Sequence, residues 1–221
     1  MKILVLLGGP GAGKGTQAQM LAADLGIAHV ATGDIFRAAA RDGTPLGLEA
    51  RTYMERGELV PDGLTTAMLL ERLARPDAAA GVILDGFPRT RAQAEALDAA
   101  LAERDAGVSA AISLDVPTER LVERLSGRYI CAAAGHSYNV ATRQPRVAGI
   151  CDEDGSGLIQ REDDKPATVR ARLAAQMESL DEVAGYYRER GILVAIDGYR
   201  SIDEVAVDVS AKARARLGAD A

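Results

Sequence analysis

A glycine-rich segment near the start of the chain carries residues suited to holding phosphate. Residues 8–16 read Gly-Gly-Pro-Gly-Ala-Gly-Lys-Gly-Thr and follow a short aliphatic run. Glycines let backbone N–H groups curl around phosphate oxygens, and a helix that begins behind them adds the positive end of its dipole. A lysine in such a loop reaches the outer phosphates of a nucleoside triphosphate. The segment therefore predicts a phosphate-binding loop made by Gly11, Ala12, Gly13, Lys14, Gly15 and Thr16.

One position of this loop departs from the usual pattern. A Ser or Thr normally follows the lysine directly, where its hydroxyl holds Mg²⁺. Here Gly15 occupies that place and Thr16 comes one residue later. A glycine-rich turn that binds nothing is the alternative interpretation, but the loop joins a predicted strand to a predicted helix, as phosphate binding requires.

Composition excludes several classes of protein. The chain has 221 residues and a net charge of −6, so it is a poor general nucleic-acid binder. Its longest aliphatic run near the start, residues 3–7, is far shorter than a membrane span. Two cysteines without a secretion signal indicate a reducing, cytoplasmic location. Only four of the 26 basic residues are lysines, and genome composition is the simplest explanation of the arginine excess.

Apolar runs alternate with alanine-rich helical stretches along most of the chain. The runs at 2–7, 27–30, 81–84, 110–114 and 192–196 are typical of buried strands, and segments 17–25 and 91–103 have helical spacing. Strands that alternate with helices form a parallel sheet covered on both faces. The pattern predicts an α/β fold with a five-stranded parallel sheet, and places the ligand site at the carboxyl ends of its strands.

Two segments interrupt this alternation. Residues 31–60 are helix-like and carry no strand signal, whereas residues 127–164 are rich in Gly, Ser, Tyr and Val. A structureless loop of that length is uncommon in a compact domain, so the second segment predicts a small β-rich lobe. We expect a core of residues 1–30, 61–126 and 165–221, an inserted helical lobe at 31–60 and an inserted lobe at 127–164.

Taken in order along the chain, several motifs resemble those of the adenylate kinases of the bacterial type with a long lid. These kinases belong to the P-loop nucleoside monophosphate kinases. The resemblance covers nearly the whole chain and lies in residues 8–16, 31–37, 57–62, 85–90 with Gln93, 127–128, 161–164, 168–170 and Arg172. It implies reversible, Mg²⁺-dependent phosphoryl transfer, in which ATP and AMP give two ADP. It also implies that segment 31–60 is an AMP-binding lobe, that segment 127–164 is a lid that excludes water, and that the protein is a monomer.

The resemblance assigns a role to particular residues. It implies AMP contacts by Thr32, Arg37, Glu58, Leu59, Val60, Gly86, Phe87, Pro88, Arg89, Gln93, Arg161 and Arg172. It implies ATP contacts by the phosphate loop and by Arg128, Ser137, Tyr138 and Arg200. The catalytic residues by this resemblance are Lys14, Asp85, Arg89, Arg128, Arg161 and Arg172, with Asp85 orienting Mg²⁺ through water. A cis peptide bond before Pro88 fits a tight turn there.

The lid segment also carries metal-ligand chemistry. Relatives often hold a structural Zn²⁺ there through two Cys-x2-Cys or Cys-x2-Asp pairs; this sequence has Cys131, Ala134, Cys151 and Asp154 at those spacings. Ala134 cannot bind a metal, and His136 lies two residues away. Three interpretations stay open: zinc with His136 or water as fourth ligand, a metal-free lid held by hydrogen bonds, and a Cys131–Cys151 disulfide.

Two other functions remain in competition with the adenylate kinase interpretation. One is a related nucleoside monophosphate kinase that uses GTP as donor or a pyrimidine nucleotide as acceptor; Thr32 and the long lid favour AMP instead. The other is a catalytically silent nucleotide sensor. Such a sensor is expected to have lost the loop lysine or the motif arginines, and all of them are present.

Overall fold

The computed structural model describes residues 1–218, which contain eight α-helices and eight strands. The helices are α1 (Lys14–Leu25), α2 (Thr32–Arg41), α3 (Pro45–Glu55), α4 (Asp62–Leu73), α5 (Arg91–Ala102), α6 (Thr118–Ser126), α7 (Pro166–Glu189) and α8 (Ile202–Leu217). The strands are β1 (Lys2–Leu7), β2 (Ala28–Ala31), β3 (Gly81–Asp85), β4 (Ala110–Asp115), β5 (Arg128–Cys131), β6 (Ser137–Asn139), β7 (Leu158–Ile159) and β8 (Leu193–Asp197). Short 3₁₀ turns cover Pro76–Ala78 and Glu162–Asp164.

The five predicted apolar runs form one parallel sheet, in the order β2-β3-β1-β4-β8. The α/β prediction is confirmed, and the strand bounds differ from the predicted ones by one residue at most. In the register of β1 and β3, Leu6 lies opposite Asp85, so the last residue of β3 stands beside the start of the phosphate loop. The carboxyl ends of the central strands therefore meet at one edge.

Helices cover both faces of the sheet because alternate residues of each strand point to opposite sides. Ile3, Val5 and Leu7 of β1 pack with α4, α5 and the second half of α7. Leu4 and Leu6 pack on the other face with α1, α6, α8 and the first half of α7. No described helix combines the length and apolarity needed to cross a membrane.

The segment predicted to be helical without strands forms the hairpin of α2 and α3. Thr44 caps α3, since its hydroxyl accepts a hydrogen bond from the Gly47 backbone N–H at 3.1 Å. A Cβ atom at Gly47 would lie 2.2 Å from the carbonyl carbon of Ala39, so only glycine permits this close crossing. Phe36, Ala50 and Val60 form a small core between these helices and the start of α4.

The segment predicted to be β-rich forms a second, antiparallel sheet with the order β6-β5-β7. Cys131, Tyr138 and Cys151 are buried inside it, with Tyr129 and Leu158 packed against them. A β-rich lobe in this part of the chain is thus confirmed. The long helix α7 leads from this sheet back into the core.

Candidate active site

The phosphate loop takes the form that its glycines predict. It joins β1 to α1, and Gly13 caps that helix in the left-handed region with φ 97°. The Lys14 Nζ donates hydrogen bonds to the Gly8 carbonyl at 2.8 Å and to the Gly9 carbonyl at 3.0 Å. These two bonds hold the ammonium group against the loop that precedes it, at the mouth of the backbone cradle.

The surroundings of Lys14 strongly shift the pKa of its ammonium group. Burial lowers the pKa of Lys14 to about 8; Asp85 opposes this shift and Arg89 adds to it. A charged ammonium group among arginines is an environment that favours a bound anion, since the anion restores the charge balance. The perturbation marks this loop as a candidate functional site on physical grounds.

Asp85 lies next to the loop and is held as a carboxylate. Burial alone would raise its pKa, but the hydrogen bond from His29 and the charge of Lys14 outweigh burial, so the pKa of Asp85 lies below its usual range. His29 Nε2 lies 3.3 Å from Asp85 Oδ2. A Cβ at Gly15 would stand 3.3 Å from the same carboxylate oxygen, closer than most Cβ contacts. A Ser or Thr after the lysine would therefore require the Asp85 carboxylate to shift by a few tenths of an ångström.

Arginines from separate elements face the loop. Arg89, in the turn after β3, donates from Nε to the Gly86 carbonyl at 2.8 Å and from Nη1 to Gln176 Oε1 at 2.9 Å. Arg161 lies before α7, and its Nη2 is 3.9 Å from Asp34 Oδ1 in α2. That contact connects the β-rich segment with the α2–α3 hairpin.

Arg128 and Arg172 share one buried carboxylate. Asp164 has a fully buried side chain and accepts hydrogen bonds from Arg128 Nε at 2.7 Å and Nη2 at 2.5 Å. Arg172 Nη1 donates to the same carboxylate at 3.1 Å. Asp164 thus orients two of the predicted catalytic arginines.

The predicted residues surround a single cavity of about 660 Å³ above the phosphate loop. Lining residues come from the core, from the α2–α3 hairpin and from the antiparallel sheet. Predicted residues that line it are Gly11, Ala12, Gly13, Lys14, Gly15, Thr16, Thr32, Arg37, Glu58, Leu59, Val60, Asp85, Gly86, Arg89, Gln93, Arg128, Ser137, Tyr138, Arg161, Arg172 and Arg200.

Two predicted residues are not brought to this cavity. The Phe87 side chain is 1% exposed and belongs to the core beneath the sheet, so its aromatic ring packs there instead of facing a ligand. Pro88 lines a second, smaller cavity together with Leu180 and Gln176. The peptide bond between them is cis.

The four lid residues with metal-ligand chemistry come together. The donor atoms of Cys131, His136, Cys151 and Asp154 all lie within 4.8 Å of one another. His136 Nδ1 is 3.3 Å from Cys151 Sγ, and Asp154 Oδ2 is 3.0 Å from Cys131 Sγ. A hydrogen bond from Cys131 holds the pKa of Asp154 well below its usual range. Both cysteines are free thiols, so the disulfide interpretation has no support from the structure.

Some residues at this site were not predicted from the sequence. Gln176 is buried behind Arg89, and Asp62 accepts a hydrogen bond from Gln93 Nε2 at 2.8 Å. Asp62 lies within the 57–62 motif, but its contact with Gln93 and the contact of Gln176 with Arg89 join residues that are distant in sequence, so the sequence does not indicate them. The structure also places His29 in contact with Asp85.

The phosphate loop and residues of α2 line the cavity together with cationic side chains, among them Lys14, Arg89, Arg128, Arg161 and Arg172. A cavity of this kind is typical of P-loop proteins that bind nucleotide phosphates.

Comparison with known proteins gives the particular family. The family model described as Adenylate kinase matches residues 6–192. A protein named adenylate kinase from Exiguobacterium sibiricum is 50% identical over 208 residues, which cover 94% of this chain and 97% of that protein. Its namesakes from Enterococcus faecalis and Carboxydothermus hydrogenoformans are 49% identical over 207 residues (93% and 96% covered) and 48% identical over 209 residues (95% and 97% covered). The chain belongs to the adenylate kinase family, and it is therefore an enzyme, a nucleoside monophosphate phosphotransferase.

Proposed function

We propose that the chain transfers the terminal phosphoryl group of ATP to AMP, reversibly and with Mg²⁺, so that two ADP form. One bond breaks between the γ-phosphorus and the bridging oxygen of ATP, and one forms between that phosphorus and an AMP phosphate oxygen. The observation that carries this proposal is the convergence of Lys14, Arg89, Arg128, Arg161 and Arg172 on one cavity.

The chemistry needs charge and position more than a base. An AMP phosphate oxygen is already anionic at neutral pH, so no side chain must remove a proton from it. Catalysis of phosphoryl transfer consists mostly of holding the reactants in line and stabilising charge on the equatorial oxygens. Guanidinium groups stay charged and donate two parallel hydrogen bonds, which suits that task.

The two nucleotides take opposite sides of the cavity in this proposal. ATP phosphates lie in the loop at residues 11–16 and meet Arg128, while Ser137, Tyr138 and the backbone near Arg200 contact the rest of the donor. AMP lies between α2 and the turn after β3, with Thr32, Arg37 and Arg89 at its sugar and phosphate. Glu58, Leu59, Val60 and Gln93 surround its base.

Residues beside the loop fit a magnesium ion that arrives with ATP. Mg²⁺ prefers oxygen ligands and keeps several of its waters. Asp85 is an ionised carboxylate next to Lys14, and the Thr16 hydroxyl lines the same cavity. We assign Asp85 and Thr16 to hold the hydrated ion, which neutralises phosphate charge when bound.

The inserted segments act as mobile lobes in this proposal. Residues 1–30, 61–126 and 165–218 form the core, residues 31–60 the AMP-binding lobe and residues 127–164 the lid. Closure of both lobes excludes water, so that the γ-phosphoryl group is transferred to AMP and not to water. The contact of Arg161 with Asp34 supports a closed arrangement, because it joins the two lobes across the cavity.

We further propose that the lid holds one structural Zn²⁺ through Cys131, His136, Cys151 and Asp154. Two thiolates, an imidazole and a carboxylate are four ligands of the types that Zn²⁺ binds, and structural zinc sites are almost always four-coordinate. Ala134 contributes its backbone N–H, which donates to Cys131 Sγ at 3.1 Å, and so supports a thiolate there. His136 Nε2 lies 3.2 Å from Glu153, a partner of the kind that fixes a metal-binding imidazole.

Metal analysis of the purified protein tests the lid site. We expect about one zinc per chain. We expect His136→Ala to lose most of it, and Ala134→Cys in that background to restore it with a fourth thiolate. Gln144→Ala is the matched control, because its side chain bonds only the exposed Val140 carbonyl among the lid contacts. Less than about a tenth of an equivalent in the parent protein rejects the zinc site and leaves the hydrogen-bonded lid.

A coupled assay with a panel of nucleotides tests the proposed reaction. ATP with AMP should give the highest kcat/KM among ATP or GTP paired with AMP, GMP, CMP or UMP. Faster transfer to CMP or UMP makes the chain a pyrimidine nucleotide kinase. Tight nucleotide binding without any turnover makes it a sensor.

We also propose that the protein is a monomer, because residues of one chain supply all the nucleotide contacts proposed above. The two free thiols support a cytoplasmic location.

A further inference from the structure

The amide of Gln93 is held at both ends by groups that each have only one hydrogen-bonding role. Gln93 lines the cavity with 2% of its surface exposed. Its Nε2 donates to Asp62 Oδ1 at 2.8 Å, and its Oε1 accepts from the Arg89 backbone N–H at 2.7 Å. An ionised carboxylate only accepts, and a backbone N–H only donates.

These two contacts fix which end of the amide is nitrogen and which is oxygen. A flipped Gln93 would turn its carbonyl oxygen toward the Asp62 carboxylate and its NH₂ group toward the Arg89 N–H. Both hydrogen bonds would be lost in a buried place, where unmade hydrogen bonds are costly. The amide is therefore locked, with one N–H and one oxygen lone pair left over.

Asp62 is itself held firmly enough to act as the lock. Its second carboxylate oxygen accepts from Thr90 Oγ1 at 2.7 Å, and Thr90 in turn caps α5 by accepting from the Gln93 N–H at 3.2 Å. Asp62 is the first residue of α4, where the helix dipole favours a negative charge. Asp62 is not among the residues that line the cavity, so it would act on a ligand through Gln93.

A locked amide distinguishes two kinds of purine. A 6-aminopurine presents an acceptor at N1 and a donor at N6; a 6-oxopurine presents a donor at N1 and an acceptor at O6. When sugar and phosphate hold the base in one orientation, a free glutamine reads either edge by turning its amide through half a turn. A locked glutamine reads only one of them.

We propose that Asp62 is a specificity-determining residue, which locks the Gln93 amide in the orientation that accepts AMP and rejects 6-oxopurine monophosphates. This inference rests on the proposed role of Gln93 at the AMP base. Asp62 is a positioning residue, not a catalytic one, because its effect on the substrate passes through Gln93.

The test is the ratio of kcat/KM for AMP to that for IMP, with ATP as donor, in Asp62→Asn. Asparagine keeps the shape but offers either an acceptor or a donor to Gln93, so that only the Arg89 backbone N–H still opposes the flipped amide. We expect the AMP-to-IMP ratio to fall at least tenfold. The ratio does not depend on the fraction of folded enzyme, so a loss of stability leaves the result readable.

Two further variants show whether the effect passes through Gln93. Gln93→Leu should lower the ratio by itself, and Asp62→Asn added to Gln93→Leu should change it by less than twofold. Asp77→Asn is the matched control: it makes the same substitution in an exposed carboxylate that pairs with Arg72 in the turn after α4. Its ratio should stay within twofold of the parent value.

The outcomes separate this inference from the proposed function. Equal losses for AMP and IMP in Asp62→Asn, with an unchanged ratio, overturn the Asp62 lock while the parent preference for AMP stands. A ratio that still shifts in the Gln93→Leu background also overturns it. A parent enzyme that uses IMP as well as AMP overturns the proposed acceptor, and the lock with it.

Discussion

Replacing Asp164 with asparagine removes the negative charge of the buried carboxylate that binds both Arg128 and Arg172. The carboxylate is fully buried and accepts three hydrogen bonds from the two guanidinium groups. Removing one partner of a buried ion pair costs about 3–5 kcal/mol, because it leaves the other partner uncompensated. Asparagine keeps one acceptor oxygen, so we expect about 3 kcal/mol, at the lower end of that range.

Calorimetry measures this loss directly. For a chain of this length, 1 kcal/mol shifts the unfolding midpoint by about 2–4 °C, so Asp164→Asn should lower Tm by about 6–12 °C. The arginines also lose their fixed direction, so kcat should fall at least tenfold at a temperature where the variant is folded.

Asp77→Asn is the matched control for the stability measurement. Asp77 also accepts two hydrogen bonds from one arginine, at 2.9 and 2.5 Å, but its side chain is 56% exposed. Exposed pairs contribute about 0–1 kcal/mol, so its Tm should change by less than about 4 °C. If Asp164→Asn lowers Tm by no more than this control, the buried carboxylate does not hold the two arginines as described.

Three other changes give independent tests. Arg89→Ala should lower kcat/KM for AMP at least a hundredfold in the coupled assay, since a positioned charge on the transferring group is lost; activity near that of the parent refutes its role. The pKa of Lys14 is about 8 in the folded protein and 10.5 in the unfolded chain, so its charge costs folding stability below pH 8, and this cost disappears as the pH rises from 8 toward 10.5. At pH 8.5 Lys14 is mostly neutral in the free protein, and bound phosphates favour its charged form, so ATP binding should take up protons. Titration calorimetry in buffers of different ionisation enthalpy measures this uptake, and Lys14→Met should abolish it. Gly47→Ala should destabilise the α2–α3 hairpin by about 1–3 kcal/mol in hydrogen exchange, because its Cβ would meet Ala39 backbone at 2.2 Å, whereas Gly63→Ala has open space and should be neutral.

The core of the fold was predictable because its strands are short apolar runs that end at turn residues. Both faces of such a sheet are buried, so nearly every residue of a strand is apolar and the strand is recognisable in the sequence. The antiparallel sheet was predictable only as a β-rich lobe, from the composition of its segment. Its pairing of β5 with β7 depends on contacts between residues 27 to 29 positions apart, which no local pattern specifies.

The site was predictable where motifs are contiguous and not where tertiary contacts decide. Arg89 and Lys14 lie in motifs, and both reach the cavity. Phe87 lies in the same motif as Arg89, yet its ring is buried in the core, just beyond the end of β3. The partners of Asp62 and Asp164 come from other elements, and their geometry required the structure.

The lid cluster shows the same division. Sequence spacing brings Cys131 and position 134 onto one short turn, as in the zinc-binding pattern. The turn closes through a hydrogen bond from the Cys131 N–H to the His136 carbonyl at 2.8 Å, with Gly135 at φ 76°. The left-handed conformation of Gly135 brings His136 beside Cys151. His136 can therefore supply the metal ligand that Ala134 does not provide.

The most direct test of the proposed reaction is phosphorus NMR on the purified protein with ATP, AMP and Mg²⁺. The account predicts that one ATP and one AMP disappear for every two ADP formed, without release of inorganic phosphate, and that Lys14→Met abolishes the exchange. Release of free phosphate with AMP left unchanged, or no turnover of AMP at all, would contradict it.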